Sequence, residues 1–490
     1  MTLPRRPERT APVPNQPFSS PEVTSIKGPY WDMALGSGLE ADPYGSVQTT
    51  GSEPSEPSAM LYGPNGYVGV GTGLKLGANG DIRLEYIYCA PQYSNLPVTY
   101  PPYGSNTEVN TAGVTNFSGA WSNVTEMPCV DTSSGIDFTS TWSSCPDLIS
   151  FPLLNFSNAE FFDYTWSGLS SLTTFPLINT SKVSYFYGTW SDCTGLTSFP
   201  QIDASSGTYI GYTWFNCAGL TSFPLIDVSS CLEFDGAWQN CTGLVSFPGL
   251  NTSSGESFYE TWMYCTSLES FPALDVSSGV NFNYAWADCT SLTSFPKLNF
   301  ESGTSFVRTW GACTSLTSFP DVNLSFGQYF GDTWLSCTSL TSFHTLNLSS
   351  GVWFNSTWEG CESLVTFPVI NVSSGRYFYF TWSYCSSLTE LPFLNFKPVA
   401  EFWGTWEGCS SLTTFPAGVF DNSLATNFLS TWANCALSQQ SVDNILVSLD
   451  TAGQSNGTVS IDGGTSSSPG PAGLSAKASL QGKGWTVTTN

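Results

Sequence analysis

Twelve tryptophans, Trp142 through Trp406, recur every 24 residues without insertion or deletion, each inside a version of the phrase FxxTWxxCTSLTSFPxLDxSSG. A strict period of this length makes each repeat one supersecondary unit that cannot bury its apolar face alone and must stack on its neighbours. The chain is therefore read as a solenoid, with residues 24 apart lying above one another in adjacent coils. Four residues before each tryptophan stands phenylalanine, from Phe138 to Phe402, with Ile210 the exception. Three residues after it stands cysteine, from Cys145 to Cys409, with Leu169 the exception. Leu148 to Leu412 and Phe151 to Phe415, the latter broken by Leu391, add two more apolar columns. Each fully buried large apolar side chain contributes roughly 1.5–3 kcal/mol, so the stacked columns offset the ordering entropy of a Ser/Gly-rich chain where one coil would not.

Smaller residues punctuate the coil. The position before each tryptophan is Thr or Ala (Thr141, Ala237, Ala285, Thr405), which reads as a tight spot that excludes larger groups. The column from Asn155 to Asn395 is exclusively Asn or Asp, residues whose side chains bond backbone groups at turns. Gly255, Gly279 and Gly351 in the following Ser-Ser-Gly are expected to take a positive φ.

The phrase WxxCTSLTSF resembles the FxxCxxLxxI core of BspA-like leucine-rich repeats, with tryptophan in the usual aromatic position, over residues from about Trp121 to Trp432. Two departures stand out: phenylalanine replaces the usual aliphatic residue, and a proline follows it (Pro152, Pro200, Pro272, Pro416). Proline lacks a donor, so any strand there is short or an edge. The expected fold is mainly β: a solenoid of about thirteen 24-residue coils built from short parallel strand segments and irregular coil, with little helix. The resemblance also implies a bacterial cell-surface adhesin as one function.

Composition narrows the rest. Of 490 residues, 13 are Lys or Arg and 38 Asp or Glu, a net charge of −25. No basic stripe is available to replace phosphate counterions, so nucleic acid is not an expected partner. Twelve of the 15 cysteines follow a tryptophan by three residues, which reads as a ladder of buried, reduced thiols rather than a disulfide framework. Cys89, Cys129 and Cys231 lie outside that column and are free to pair. No apolar run is long enough for membrane insertion, and the opening MTLPRRPERTAPVPNQPF lacks the apolar region of a signal peptide. Export by the general secretory route is not expected.

Four segments follow. Residues 1–60, rich in Pro, Ser, Gly and Glu, read as an extended anchoring arm with Tyr30, Trp31 and Met33 as its anchors. Residues 61–118 contain the alternating runs GYVGVGTGLKLG and GDIRLEYIY around the turn signal Asn79-Gly80, a small β module. Residues 119–436 are the solenoid. In residues 437–490, Val442, Ile445, Leu446 and Leu449 have helical spacing, TVSI and WTVTT read as strands, and Leu474 to Leu480 as a second helix, giving an α/β cap over the last coil. This ending resembles those of repeat proteins encoded by bacteriophages and bacteria.

Catalytic patterns are missing from the sequence. The single histidine, His344, occupies a proline position, so no Ser/His/Asp triad, HExxH or Cys/His zinc pattern can be assembled, and no enzyme activity, metal or cofactor is expected. Asp227 and Asp275 belong to the turn column, and Asp332 and Glu260 change identity in neighbouring coils, so no glycosidase acid pair stands out. Sequons such as Asn155 and Asn251 arise where the Asn column precedes a Ser-rich turn. The informative positions flank the inward phenylalanine: Tyr185, Tyr187, Tyr209, Tyr259, Tyr329, Trp353, Tyr377, Tyr379 and Trp403, with Tyr212, Tyr284 and Phe380 one position further on. Alternation along an extended segment points these residues outward, where aromatic surface beside polar groups suits a receptor, above all the rings of a glycan. The leading expectation is a bacteriophage virion appendage, a tail or capsid fibre. Its arm would dock on other virion proteins, its solenoid would touch a host-surface glycan or protein, and self-association into a homo-oligomer is left open. Assembly in the host cytoplasm would keep the thiols reduced.

Overall fold

The computed structural model describes residues 111–127, 130–396, 399 and 401–490, together with the backbone of eight strand segments between residues 25 and 84. The chain divides into two compact units, Met1–Asn110 with Pro128–Val130, and Thr111–Met127 with Asp131–Asn490.

In the first unit the strands β1 (Ser25–Lys27), β2 (Asp32–Leu35), β3 (Leu39–Ala41), β4 (Val47–Thr49), β5 (Ala59–Gly63), β6 (Gly66–Val70), β7 (Leu74–Leu76) and β8 (Ile82–Leu84) pair antiparallel. They form a four-stranded sheet of order β1-β2-β5-β6 and the pairs β3-β4 and β7-β8. Because β2 pairs with β5, this sheet runs across residue 60, where the sequence suggested a change from arm to β module. Strands β7 and β8 flank Asn79-Gly80. Met33 lies in β2 opposite Leu61, whereas Tyr30, Trp31, Cys89 and Cys129 lie outside the described residues.

The second unit is a repeat solenoid whose coils are joined by alternating amides. Around Trp238, the N–H groups of Phe234, Gly236, Trp238 and Asn240 donate to carbonyls of the next coil (Ser257, Tyr259, Thr261 and Met263) at 2.7–3.0 Å. The intervening N–H groups of Ala237, Gln239 and Cys241 donate within the coil, to Phe234, Gly236 and Trp238. Turning every second amide along the stack requires a left-handed residue two positions before and two after the tryptophan. Tyr212, Glu260 and Tyr284 take φ of 54–60° before it, and Asn216, Asn240 and Tyr264 take 55–62° after it. A non-glycine residue pays roughly 1–2 kcal/mol for this conformation, a cost borne because the alternative is an unbonded backbone group in every coil.

This geometry corrects two expectations. Gly255, Gly279 and Gly351 are not left-handed. A Cβ on Gly255 would sit 2.6 Å from Phe258 Cζ and 2.9 Å from Phe234 Cε2, so the position is glycine because two stacked rings close over it. Regular strand is also rarer in the coils than a mainly β fold implies. Most coil-to-coil pairing consists of single-residue parallel bridges, such as Tyr185 to Tyr209 and Trp353 to Tyr377, and within the repeats only β9 (Ser318–Phe319) and β10 (Ser342–Phe343) pair over two residues. Left-handed residues on one side and proline on the other leave no room for longer strands.

The core is a set of stacks. Successive indoles from Trp121 to Trp432 lie nearly parallel, with centroids 5.2–5.9 Å apart. From Trp142 to Trp406, except at Trp382 where Leu391 takes the place, the phenylalanine nine residues on stands edge-to-face against the indole, as Phe247 does against Trp238 at 4.8 Å. Such pairs contribute about 0.5–1.5 kcal/mol beyond burial. Two buried columns add to those read from the sequence, one through Ile178, Leu250 and Ile370, the other through Val228, Phe300 and Val372. The threonine column is more than a steric gap: the single hydroxyl hydrogen of Thr333 is shared between Phe306 O of the preceding coil at 2.9 Å and its own Phe330 O at 2.8 Å. The thiols likewise donate to the tryptophan carbonyl of the preceding coil, Cys289 Sγ to Trp262 O at 3.2 Å and Cys409 Sγ to Trp382 O at 3.1 Å. All 13 cysteines among the described residues are free and buried, Cys231 included, which donates to Gly207 O. The Asn/Asp column makes the expected turn, with Asp227 Oδ1 accepting from Ser229 N at 3.0 Å.

The last coil passes its bridge column to the C-terminal segment. β11 (Asn427–Phe428) pairs in parallel with β12 (Thr458–Ile461), and β12 with β13 (Thr486–Thr489). Helix α1 (Gln439–Ala452) is capped by the Ser438 side chain and closed by left-handed Gly453, and it buries Val442, Ile445, Leu446 and Leu449. Helix α2 (Pro471–Gly482) packs against it and buries Ala476 and Leu480.

Two outcomes are expected from this core. Gly255→Ala should destabilise the protein by about 1–3 kcal/mol by forcing the phenylalanine rings apart, whereas Ser356→Gly, at a left-handed position with φ of 52°, should raise the melting temperature. A melting temperature that Gly255→Ala leaves unchanged, or that Ser356→Gly lowers, would contradict the assignment of the two glycine roles. Burial holds the Cys193, Cys241 and Cys361 thiols up at about 12, whereas the unfolded chain loses those protons near 9.0. The unfolded state then binds fewer protons between these limits, so this stability should be complete below pH 9.0 and fall as pH rises toward 12. Urea midpoints measured on both sides of pH 9.0 test the slope, and a flat profile would place the thiols in contact with water.

Candidate functional site

The same alternation that buries the phenylalanines turns their neighbours outward. The column five residues before tryptophan reads Asp137, Phe161, Tyr185, Tyr209, Glu233, Ser257, Asn281, Ser305, Tyr329, Trp353, Tyr377 and Glu401, each bridged to the next. Its aromatic members fall into two runs. In the first, Phe161, Tyr185 and Tyr209 have ring centroids 5.4 and 6.5 Å apart. In the second, Tyr329, Trp353 and Tyr377 are 6.2 and 5.1 Å apart, and Tyr377 meets Tyr379 at 6.2 Å. Trp403 packs on Phe380 at 5.0 Å, beside the second run.

Exposure separates the residues singled out in the sequence. Tyr185 (43%), Tyr209 (36%), Tyr329 (42%), Trp353 (45%) and Trp403 (43%) are open to solvent. Tyr187, Tyr259, Tyr377 and Tyr379 are half-buried. The difference has a physical cause: the left-handed residues two before tryptophan throw their side chains across the next column, so Tyr187 meets Tyr164 and Tyr212 edge-on at 5.4 and 5.6 Å, and Tyr259 meets Tyr284 at 6.1 Å. Sequence reasoning missed Tyr164, Tyr264 and Tyr384, all exposed. Their common signal is a spacing of two residues from the tryptophan, which only becomes meaningful once those positions are known to be left-handed.

Carboxylates and amides run between the rings. Asp235 Oδ1 accepts from Ser257 Oγ at 2.5 Å and from Tyr259 N at 3.3 Å, and Asn283 Oδ1 accepts the equivalent pair from Ser305 Oγ and Val307 N two coils further along. Burial raises the Asp235, Asp163 and Asp332 carboxyls above the ordinary range. Phenols are tied to acids: the hydrogen bond to Glu233 pushes Tyr209 up to about 12, the bond to Glu260 does so for Tyr259, and burial with a 2.8 Å bond to Glu401 Oε2 does so for Tyr379. These phenols stay protonated across the physiological range and act as donors. Arg308 lies among them, paired with Asp288 at 3.4 Å. Chemically the face offers aromatic rings, neutral donors and carboxylate acceptors in alternation, a set that recognises hydroxylated ligands. His344 is exposed on the other side of the coil, at the position following Phe343. Among the described residues no cluster of His, Cys, Asp and Glu has the arrangement of a metal site, and no helix is long and apolar enough to cross a membrane.

No family model matches the chain, and no curated protein matches it. Among solved structures, a crystal structure of a TLR13–ssRNA13 complex is 13% identical, with 73% of this chain and 69% of that chain covered and a TM-score of 0.19. The plant peptide hormone receptor RGFR1 in complex with RGF2 is 12% identical, with 76% and 72% covered and a TM-score of 0.22. The repeat architecture rests on the coil ladders described above rather than on likeness of this degree.

Proposed function

We propose that this protein is an attachment protein which holds a host-surface glycan against the aromatic side of its solenoid, and that it serves as a structural virion appendage of a bacteriophage, fixed to other virion proteins through its N-terminal unit. The observation that carries the binding reading is the pair of aromatic runs left open to solvent, at positions that the core does not need filled, with protonated phenols and carboxylates interleaved. Sugars present apolar C–H faces to such rings and hydroxyl pairs to such acceptors. The virion placement draws on the Pro/Ser/Gly/Glu-rich segment 1–60, on the resemblance of the C-terminal ending to phage-encoded repeat proteins, and on thiols that remain reduced in a cytoplasm.

Replacing Trp353 and Trp403 together by alanine should weaken attachment to host cells or isolated surface polysaccharide about tenfold or more while the melting temperature stays nearly constant, because half-exposed rings contribute more to recognition than to the core. Unfolding of the double variant, or unchanged binding, would assign these rings to coil stacking. Removal of residues 1–110, the first compact unit, should leave a folded solenoid that no longer enters particles. Normal incorporation of the truncated chain would refute anchoring through that unit.

A further inference from the structure

Between the two aromatic runs the outward column holds polar residues without a ring for four consecutive coils, Glu233, Ser257, Asn281 and Ser305, before an aromatic residue returns at Tyr329. Tyr209 and Tyr329 therefore stand as walls at either end of a polar trough. On its inner side each wall has a ring partner, Tyr185 for Tyr209 and Trp353 for Tyr329. On the trough side their bridge partners are Glu233 and Ser305, which leave the rings uncovered by other rings.

The floor is chemically prepared on both hands. Asn281 and Asn283 use their side-chain oxygens as acceptors, Asn281 from Asn283 N at 3.1 Å and Asn283 from Ser305 Oγ and Val307 N, so their amide N–H groups are the donors left for a ligand. Asp235 uses one oxygen for Ser257 and Tyr259, and its second oxygen remains an acceptor beside Glu233. Carboxylate acceptors in the coil of Glu233 and amide donors two coils on, at Asn281 and Asn283, can meet hydroxyls of successive sugars along the column, and a site built to bond hydroxyls rejects ligands without them. Charge decides the sugar class. The trough carries Glu233 and Asp235 with Glu260 beside it, the one nearby base, Arg308, is held by Asp288, and the chain has a net charge of −25, so anionic sugars are repelled. We infer that the trough between Tyr209 and Tyr329 is the subsite for a neutral oligosaccharide lying along the solenoid axis. This rests on the glycan-binding reading and adds to its aromatic runs one subsite between them and one sugar class.

The repeat supplies its own test. Because Tyr185, Tyr209, Tyr329 and Tyr377 already occupy this column, tyrosine is compatible with the coil there. Asn281→Tyr with Ser305→Tyr should fill the trough without disturbing the fold, and an unchanged melting temperature checks that. Calorimetric titration of the full chain with malto-, cello- and manno-oligosaccharides, with dextran sulfate, polygalacturonate and a lysine-rich peptide as comparators, should show binding to a neutral oligosaccharide that the double variant loses by about tenfold or more. Neutral-sugar binding that survives in a folded double variant overturns the trough and leaves glycan binding standing. Binding confined to the acidic polysaccharides or to the peptide overturns the neutral-sugar assignment. A wild-type chain that binds no sugar overturns both readings.

Discussion

Each coil of this protein rests on the flat face of an indole, and the constancy of that stack governs everything outside it. Parallel indoles 5.2–5.9 Å apart keep their column even where the 24-residue spacing changes, between Trp121 and Trp142 and between Trp406 and Trp432, so a change in coil length is absorbed in the connecting segment while the stack and its amide ladder persist. The arrangement has a cost. The indole N–H groups from Trp142 to Trp432 are buried without an acceptor, and an unpaired donor costs about 1–3 kcal/mol. Ring packing above, below and edge-on, together with full burial of each tryptophan, is what outweighs it. Polar groups elsewhere in the core are placed more economically: threonine hydroxyls and cysteine thiols each reach a carbonyl of the preceding coil, so they pin neighbours together while filling space.

The candidate site is a by-product of that order. Positions five, three and two residues before the tryptophan recur at fixed intervals on the outer face, and since the ladder hydrogen bonds there come from the backbone, the ladder itself does not dictate their side chains. The result is a surface of constant pitch and changing chemistry, where aromatic runs and a polar interval follow one another along a single rigid support.

Much of the core was legible because periodicity is insensitive to local conformation. The columns through Phe138, Trp142, Cys145, Leu148 and Phe151 are buried, as repetition at a fixed offset implied, and the Asn/Asp column turns the chain through side-chain bonds to serine amides. What periodicity could not reveal was backbone geometry. A left-handed residue is usually signalled by glycine, yet here Tyr212, Glu260 and Tyr384 hold such positions while Gly255 does not, because the ladder of amides sets φ at the former and ring packing sets the residue at the latter. The donor role of the cysteines was hidden for a similar reason. Their spacing declares them inward, but the carbonyl they meet belongs to the coil before. On the outer face, the sequence could list aromatic residues but not sort the open ones, such as Trp353, from Tyr187, which is wedged between Tyr164 and Tyr212.

That wedge continues down the stack in a pattern of large residue over glycine. The Tyr164 ring lies where a Cβ on Gly188 would come within 2.6 Å of it, and Tyr212 covers Gly236, Phe380 covers Gly404 and Tyr384 covers Gly408 in the same way. A glycine lost at one of these four places evicts the neighbouring ring, whereas Tyr264 and Tyr284 hold the same left-handed positions beside Asp288 and Arg308 and need no glycine. At those four pairs sequence drift is consequently epistatic between adjacent repeats: the glycine changes only together with the ring that covers it, and such a pair is most simply exchanged as a two-coil block.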